Sequence, residues 1–560
     1  MPEQSRYHID IPETDLLTWL FPPDSTPSNE PLYIDAEQPS HYLSPAQVLL
    51  WTSRLALGLQ QIGLREGDVV LVHSTNHIFM PIAYLGLAGN GFIFSGSNPA
   101  YGVEEVAYQI ENTGAKAILV DPTLLDTALK ATERTSFPRE KLFLFNDEAC
   151  PTTQGVLDWR TMLASDEEAR HHRRHIQTPE ESRTRVACLN YSSGTTGLPK
   201  GVCISAYNII ANVEQSLYMR RLRSDDPSSL VPADTLPPER WLGFLPLYHA
   251  YGQLWSIAAA ARTATPVFFM RAFAFPTLLA HIQRHRITHL QTAPPVLVML
   301  AKRPETRTHD LSSLRNILCG AAPLSKELQN AVMDTVGRDL RVVQTMGMTE
   351  LTCSTLHVPG LMRDTSGAVG LADPNCSIKL VDAAGREVAD GERGELCVRG
   401  PNVCLGYWRN AGATREAFDA AGFLRSGDVA VRRAGWYWIV DRQKELIKVR
   451  GFQVAPAELE AALLEHADVA DAAVVGLQLE QEEAPRAYVS LREHARGKVR
   501  AEEIAAWLAK RVAKHKRLTG GAVIIDEVPK SPSGKIQRKV LREWAKRDAE
   551  AFGKESKSKL

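Results

Sequence analysis

The residues best suited to chemistry lie in one glycine-rich stretch, residues 191–202, which reads YSSGTTGLPKGV. Three glycines alternate with four hydroxyl side chains and a single lysine, Lys200. Glycine-rich loops can turn backbone N–H groups toward phosphate oxygens, while hydroxyls and an ammonium group supply further donors. The stretch is therefore predicted to hold a polyphosphate through Ser192, Ser193, Gly194, Thr195, Thr196, Gly197 and Lys200.

The order of residues in this stretch excludes a Walker A loop. In that motif a glycine directly precedes the lysine, and a Ser or Thr directly follows it. Here Lys200 follows Pro199 and precedes Gly201. The stretch instead resembles the phosphate-binding signature of the adenylate-forming superfamily, which includes acyl- and aryl-CoA synthetases, peptide-synthetase adenylation domains and beetle luciferases. Further motifs of that superfamily follow along the chain in the same order.

A histidine-containing motif, LPLYHAYG at residues 245–252, resembles part of the superfamily's acyl pocket. A lone histidine is usually a structural residue, but this one lies between a short strand and an apolar helix, where a ring can line a cleft. The resemblance implies that Tyr248, Tyr251 and Gly252 contact the acyl group. It places His249 beside the reacting carboxylate.

Two turns rich in small residues resemble the superfamily's adenine site. CGAAPL, at residues 319–324, contains Gly320, Ala321 and Ala322, and small residues let a flat base or an acyl chain approach the backbone. QTMGMTE, at residues 344–350, contains Gln344, Met346 and Gly347. The resemblance implies that these three residues contact the nucleotide, and that Gly347 together with Gly320 of the first turn also lines the acyl pocket. The family's usual aromatic residue is replaced by Met346, so we expect weaker stacking on adenine. Thr349 matches a bond to the α-phosphate, and Glu350 matches the Mg²⁺ ligand.

Two later motifs complete the nucleotide site. GFLRSGD ends in Asp428, which resembles the carboxylate that accepts hydrogen bonds from both ribose hydroxyls. DRQKELIKVRGFQVAPAELE, at residues 441–460, has the form seen in 4-coumarate:CoA ligase-like proteins. In that match Arg442 contacts the nucleotide and Lys444 is the hinge between domains. Lys448 and Gln453 lie near the substrate carboxylate and phosphate.

The last motif, PKSPSGKIQRK at residues 529–539, contains Lys535 in a turn of Pro, Ser and Gly. Most lysines near a C-terminus are solvated surface charges. The residues around this one are those that surround the superfamily's catalytic lysine, and the resemblance assigns that role to Lys535.

Alternating helices and strands must position these residues. Helical spacing over residues 44–63 is followed by a β-branched run at 68–73, and this pattern continues, which predicts parallel β/α units. Beyond residue 365, short alternating runs predict a small β-barrel or meander, whereas residues 1 to about 40 are predicted to be irregular. The expected fold class is α/β, with a large N-terminal domain of layered β/α subdomains plus a small β-barrel, followed by a small mobile α+β domain. The resemblance sets the domains at 1–443 (AMP-binding), 444–557 (catalytic lysine) and 558–560 (targeting tripeptide).

Composition narrows the class of protein. A chain of 560 residues exceeds the size of a single core, and shares of 44% apolar and 23% charged residues are those of an ordinary globular protein. A net charge of -1 gives no reason to expect nucleic-acid binding, and no apolar stretch is long enough to predict a membrane span. The sequence ends in Ser558, Lys559 and Leu560, the peroxisomal address, so we expect an import receptor as partner and the peroxisome as location.

Together these motifs predict an ATP- and Mg²⁺-dependent acid:CoA ligase. The resemblance implies that the acid, an aryl or medium-chain fatty acid, is first converted to an acyl-adenylate with release of pyrophosphate, and then transferred to CoA. Three alternatives remain open. They are a luciferase-like monooxygenase, a peptide-synthetase adenylation module, and a catalytically inactive nucleotide-binding relative.

Overall fold

The computed structural model describes residues 2–172, 175–192, 198–337, 339–449, 452–478, 483–531 and 534–557, with side chains as far as residue 549. Within these ranges, strands and helices alternate through most of the chain. The strands are β1 (Glu3–Gln4), β2 (Tyr33–Asp35), β3 (Tyr42–Leu43), β4 (Val69–His73), β5 (Ile93–Ser97), β6 (Ala117–Val120), β7 (Leu142–Leu144), β8 (Leu157–Asp158), β9 (Val186–Ser192), β10 (Lys200–Ser205), β11 (Trp241–Gly243), β12 (Val267–Phe269), β13 (His289–Thr292), β14 (Asn316–Cys319), β15 (Arg341–Met346), β16 (Leu356–His357), β17 (Leu371–Ala372), β18 (Ser377–Val381), β19 (Arg393–Arg399), β20 (Gly406–Tyr407), β21 (Leu424–Arg433), β22 (Trp436–Arg442), β23 (Ile447–Val449), β24 (Phe452–Val454), β25 (Val469–Gln478), β26 (Glu483–Leu491) and β27 (Ala522–Ile525).

The helices cover the sheets. They are α1 (Leu16–Leu20), α2 (Pro45–Gln61), α3 (Met80–Ala88), α4 (Val103–Thr113), α5 (Leu125–Thr135), α6 (Asp166–His171), α7 (Pro179–Thr184), α8 (Ala206–Arg220), α9 (Ala250–Gly252), α10 (Ala260–Arg262), α11 (Phe275–His285), α12 (Pro294–Lys302), α13 (Lys326–Val336), α14 (Ala411–Ala417), α15 (Pro456–Leu464), α16 (Ala501–Ala509) and α17 (Arg538–Lys557). A π-helical segment, Gln253–Ala259, joins α9 to α10. None of the described helices combines the length and the apolarity that crossing a membrane requires.

The first large sheet has eight strands in the order β20, β10, β9, β5, β4, β6, β7, β8. Its central strands are parallel, and β4 and β6 are buried along their whole length. Strands covered on both faces need continuous apolar runs, which is why VVLVH and AILV could be recognised as strands from sequence. Helix α2 begins at a capping box of Ser44 and Gln47 and buries the face that contains Val48, Leu55 and Leu59.

The second large sheet has nine strands in the order β17, β16, β15, β14, β13, β11, β12, β2, β3. Five parallel pairings join its central strands, and antiparallel pairs close both edges. Because parallel strands end at the same edge, the segments that follow β14 and β15 lie next to each other. These segments contain the two predicted adenine turns.

The predicted barrel or meander is an antiparallel sheet of five strands in the order β1, β18, β19, β21, β22. The elements from β23 onward form what we call the C-terminal unit. This unit has its own sheet of β25, β26 and β27, and its own apolar clusters, which include Leu463, Val474 and Val489 in one and Tyr488 and Leu541 in the other. The predicted α/β class with a small α+β C-terminal domain is confirmed.

The first 40 residues differ from the predicted irregular segment. Glu3 of β1 pairs with Ile378, which adds a strand to the five-stranded sheet. Tyr33 of β2 pairs in parallel with Val267, and α1 is capped by the Asp15 side chain. Strands of two or three residues are too short to show an alternating pattern. Their partner strands lie hundreds of residues away, so no local signal in the sequence reveals the pairing.

Candidate active site

The glycine-rich stretch connects two antiparallel strands. β9 and β10 pair in a register that sets Ser192 opposite Lys200, so the two ends of the stretch lie side by side. Residues 193–197 lie outside the described residues, and their role as phosphate donors stays a prediction. The Lys200 ammonium lies 5.0 Å from the centroid of the Tyr407 ring, a distance at which a cation is attracted to an aromatic face.

Glu350 lies in a single 3₁₀ turn, Thr349–Leu351, that follows β15. Its side chain is buried, and the Tyr407 hydroxyl donates a hydrogen bond of 3.0 Å to Glu350 Oε1. Tyr407 therefore touches both predicted phosphate-site charges, Lys200 through its ring and Glu350 through its hydroxyl. Burial, followed by the charge of Glu350, raises the pKa of Tyr407, so its hydroxyl remains a donor at neutral pH.

Two glycines in this region are required by close backbone contacts. A Cβ atom on Gly347 would lie 1.7 Å from the carbonyl oxygen of Cys353, and one on Gly252 would lie 2.4 Å from that of Pro246. A larger residue at either position would displace the segments that carry Glu350 and His249. Gly320 is tight as well, since a Cβ there would lie 3.0 Å from Thr345 Cγ2.

Asp428 and Arg442 face each other across the neighbouring strands β21 and β22. Arg442 Nε donates to Asp428 Oδ1 at 3.2 Å. Burial raises the pKa of Asp428, and the positive charges of Arg442 and Lys535 act against this rise. The result is a buried carboxylate held by one guanidinium, with a second oxygen for which no hydrogen bond is described.

Lys535 comes from the C-terminal unit, yet it lies among residues of the rest of the chain. Its turn is closed by a hydrogen bond of 2.8 Å from Ser531 N to the Lys535 carbonyl, and Gly534 has a φ of +81° that favours glycine. Burial lowers the pKa of Lys535, as does the Arg442 charge, whereas Asp428 and Glu350 oppose this change. The structure thus brings together Lys535, Asp428, Arg442 and Glu350, which are far apart in sequence.

His249 begins the helix formed by α9, the π-helical segment and α10. Burial, followed by the charge of Lys535, lowers the pKa of His249 to about 3, so its ring is neutral at physiological pH. Its Nδ1 accepts from the backbone N–H of Tyr251 at 3.4 Å. The buried Tyr251 hydroxyl donates to the carbonyl of Leu318 at 2.9 Å, which ties this helix to β14. π-helical segments occur frequently at functional sites.

Four predicted site residues either contact other parts of the protein or are exposed to solvent. Gln344 is buried and its amide donates to Gln329 Oε1 at 3.1 Å, while Met346 belongs to the apolar cluster under the five-stranded sheet. Lys448 and Gln453 are exposed, opposite each other on β23 and β24. Their predicted roles stay predictions.

The predicted hinge is the segment between β22 and β23. Lys444 is exposed, and its carbonyl accepts from Arg542 at 3.4 Å. The next residue, Glu445, pairs with Arg538 at 2.6 Å, so helix α17 holds this segment from one side.

The described residues contain one cluster that could hold a metal through three side chains, namely Asp35, His41 and Asp147. Arg271 pairs with both of its carboxylates and supplies the compensating charge. This cluster therefore has a structural explanation. Glu350 lies near Lys200 of the predicted phosphate site, since both contact Tyr407.

Comparison with known proteins gives two matching family models. The AMP-binding enzyme model matches residues 23–408, and the AMP-binding enzyme C-terminal domain model matches residues 458–535. Acyl-CoA ligase azaF of Aspergillus niger is 35% identical over 548 residues, covering 96% of this chain and 99% of that protein. Phenylacetyl-CoA ligase epaB of the same species is 35% identical over 555 residues, covering 97% and 99%. 4-Coumarate–CoA ligase 3 of Arabidopsis thaliana is 33% identical over 542 residues, covering 95% and 92%.

The fold is similar to solved structures over nearly its whole length. ATP-bound MatB from Rhodopseudomonas palustris superposes with a TM-score of 0.80 at 24% identity, and the match covers 96% of this chain and 99% of that one. At this identity the similarity concerns the fold.

Proposed function

The chain belongs to the AMP-binding enzyme family, and from this premise we propose that it is an ATP-dependent acid:CoA ligase. In the proposed reaction a carboxylic acid attacks the α-phosphate of ATP, which gives an acyl-adenylate and pyrophosphate. CoA thiol then attacks the acyl carbon, which gives the thioester and AMP. The family resemblance inferred from the glycine-rich stretch is confirmed.

The observation that carries this proposal is the position of Lys535. Lys535 is half-buried, and it lies close enough to Asp428, Arg442 and Glu350 for their charges to shift its pKa, although it comes from the C-terminal unit. A carboxylate and a triphosphate repel each other, and bringing them together needs cations and hydrogen-bond donors more than it needs a nucleophilic side chain. The site supplies three such cations in Lys535, Arg442 and Lys200.

In the first half-reaction, Lys535 would bridge the α-phosphate and the incoming carboxylate. A flexible ammonium group suits this task, because the negative charge on the transferring phosphorus is shared among several oxygens. Asp428 would accept hydrogen bonds from both ribose hydroxyls through its carboxylate oxygens. Lys200 and the glycine-rich stretch would bind the outer phosphates, which become the leaving group.

The buried carboxylate of Glu350 fits a magnesium ion. Mg²⁺ in phosphate sites is commonly held by one or two carboxylates together with phosphate oxygens. Tyr407 fixes one oxygen of Glu350 by its hydrogen bond, which leaves Oε2 as a candidate ligand. A bound Mg²⁺ would neutralise phosphate charge and orient the triphosphate.

In the second half-reaction the thiol must reach the acyl carbon, near which Lys535 now lies. We propose that residues 444–557 form a mobile domain that turns at Lys444 and withdraws Lys535, while residues 1–443 keep the adenylate. His249, neutral at the working pH, could then turn aside without the cost of moving a charge. Catalysis by domain movement of this kind assembles each half-reaction in turn.

The acid is proposed to be an aryl acid or a medium-chain fatty acid. Tyr248 and Tyr251 give the predicted pocket an aromatic wall, and one relative is named a phenylacetyl-CoA ligase. Phenylacetate, cinnamates and fatty acids of graded length should be screened for acid-dependent pyrophosphate release and CoA-dependent AMP formation. If no acid gave either product, the ligase assignment would be refuted.

Two of the three alternatives, a luciferase-like monooxygenase and an inactive relative, receive less support. A luciferase-like monooxygenase would give light without an acyl-CoA product, whereas the curated relatives described above are named as CoA ligases. An inactive relative would release no pyrophosphate, and it would have no use for a lysine whose charge interacts with Asp428 and Glu350. The same screen separates all three possibilities.

Tyr407→Phe is expected to raise the Mg²⁺ concentration needed for half-maximal pyrophosphate release by about five- to tenfold. A single hydrogen bond to Glu350 is lost, with an expected effect of about 1 to 1.5 kcal/mol. The ring beneath Lys200 is kept in this variant. Tyr407→Leu removes both contacts and should also weaken ATP binding. Tyr42→Phe, at an exposed site, is the control, and an unchanged Mg²⁺ requirement in Tyr407→Phe would count against this role of the hydroxyl.

We also propose import into peroxisomes through Ser558, Lys559 and Leu560, which lie outside the described residues. This signal is recognised as a C-terminal tripeptide. Deletion of residues 558–560 should leave a fluorescent N-terminal fusion in the cytosol. Deletion of residues 552–554, which keeps the tripeptide at the end, should leave import intact. Punctate import of the first deletion would show that the tripeptide is not the address.

A further inference from the structure

Helix α12 (Pro294–Lys302) precedes the C-terminal unit in the chain and contacts that unit near both of its ends. The last residue of the helix, Lys302, extends its side chain into the C-terminal unit. Lys302 Nζ donates to the carbonyl oxygen of Leu464 at 2.5 Å and to that of Val469 at 3.3 Å. Leu464 is the last residue of α15, and Val469 is the first of β25.

These acceptors are suited to a lysine from another part of the chain. The last carbonyls of a helix have no partner within the helix and carry the negative end of its dipole. An ammonium group at this point satisfies a carbonyl that the helix cannot satisfy itself. One side chain therefore fastens two neighbouring elements of the C-terminal unit at once.

The beginning of the same helix contacts the turn that carries the active-site lysine. A Cβ atom on Gly534 would lie 3.2 Å from Pro295 Cγ and 3.4 Å from Ala293 Cβ, so the turn is seated on this end of α12. Lys535 is the next residue. The helix has nine residues and is about 13 Å long, so the two contacts support the C-terminal unit at well-separated points.

Burying the charged ammonium of Lys302 at this contact is energetically unfavourable. Burial, followed by the charge of Arg492, lowers the pKa of Lys302 to about 8, and Asp471 opposes this change. A solvated surface lysine would keep its ordinary value. The contact therefore constrains a group that would otherwise remain in water.

We propose that Lys302 is a positioning residue that holds the C-terminal unit in the arrangement where Lys535 reaches the site. The inference rests on the proposed ligase function, because it concerns the first half-reaction of that chemistry. Leu464 and Val469 belong to the C-terminal unit and Lys302 does not, so we expect a turn of that unit that withdraws Lys535 to break these hydrogen bonds. Lys302 therefore serves acyl-adenylate formation and contributes nothing to the transfer to CoA.

The test compares the two half-reactions in Lys302→Met, which keeps an unbranched side chain of similar length but removes the ammonium. The kcat of acid-dependent pyrophosphate release should fall by about 10- to 100-fold. The KM for ATP should stay within about twofold of the wild-type value. Acyl-CoA formation from a supplied acyl-adenylate should remain within about twofold. Lys302→Arg, whose guanidinium can donate to both carbonyls, should recover most of the first rate.

Two further variants separate positioning from general stability. Lys130→Met, at an exposed position of α5, is the matched control and should leave both rates unchanged. In a Lys535→Ala background, Lys302→Met should cause almost no further loss of pyrophosphate release, because residues that act through one another are not additive. If the methionine variant is unstable, Lys302→Gln keeps one donor and should show the same selectivity with a smaller loss.

Equal losses in both half-reactions would overturn the proposal, as would an unchanged rate of pyrophosphate release. A full additional loss in the Lys535→Ala background would also overturn it. Failure of the ligase function itself looks different, since wild-type protein would then release no pyrophosphate with any acid.

Discussion

Lys535→Ala should reduce acid-dependent pyrophosphate release by about 1,000-fold, which corresponds to about 4 kcal/mol of transition-state stabilisation. Removal of the ammonium leaves the carboxylate and the α-phosphate to approach each other without their bridging cation. Acyl-CoA formation from a supplied acyl-adenylate should remain near the wild-type rate, because the proposed domain movement withdraws the lysine in that step. Both rates can be followed separately, through pyrophosphate release and through thioester absorbance.

Lys539→Ala is the matched control for this experiment. Lys539 lies four positions further on, at an exposed position in the first turn of helix α17, and its replacement should change neither rate. Equal losses of both half-reactions in Lys535→Ala would contradict a role confined to adenylation. The proposed alternation of the C-terminal unit would then have to be abandoned.

Asp428→Ala should raise the apparent KM for ATP by about 100-fold. A carboxylate that accepts from both ribose hydroxyls contributes about 3 kcal/mol, since hydrogen bonds to charged groups contribute about 1.5 to 3 kcal/mol each. The substitution also leaves Arg442 without its partner at 3.2 Å, so its guanidinium is free to move away from the nucleotide. ATP titrations of pyrophosphate release measure this effect directly.

Asp428→Asn tests the contribution of the negative charge, because the amide has the shape of the carboxylate and keeps one acceptor oxygen. It should show a smaller increase in the KM for ATP. The raised pKa of Asp428 adds a pH signature, since protonation removes the charged acceptor. In wild type the KM for ATP should therefore increase as the pH falls, and Asp428→Asn should lose this component. Unchanged ATP affinity in Asp428→Ala would show that the ribose lies elsewhere.

Much of the fold follows from local patterns in the sequence. The β-branched run at residues 68–73 forms strand β4, Val69–His73, and the helical spacing over residues 44–63 forms helix α2, Pro45–Gln61, which begins after its Ser44 cap. These elements combine a strong apolar pattern with a capping residue or a glycine boundary, so local chemistry and tertiary structure agree. The π-helical form of Gln253–Ala259 was not predicted, since its apolar residues fit an α-helix equally well.

The gathering of Lys535, Glu350 and Asp428 was predicted only through family motifs. No periodicity relates residues so far apart, and only the packed C-terminal unit brings them together. Tyr407 and Lys302 were missed for a related reason. Tyr407 acquires its contacts because β20 pairs with β10, and Lys302 is an ordinary last-turn lysine until α15 is placed against it.

The pairing of β1 has a practical consequence for making the protein. Glu3 accepts a hydrogen bond of 2.8 Å from the Tyr437 hydroxyl and pairs with Arg432, so the chain is anchored in a sheet from Glu3 onward. An affinity tag fused directly ahead of residue 1 would compete with that anchorage. Recombinant versions should therefore carry a long, removable leader ahead of Glu3, and the melting temperature before and after its cleavage would report whether the strand is seated.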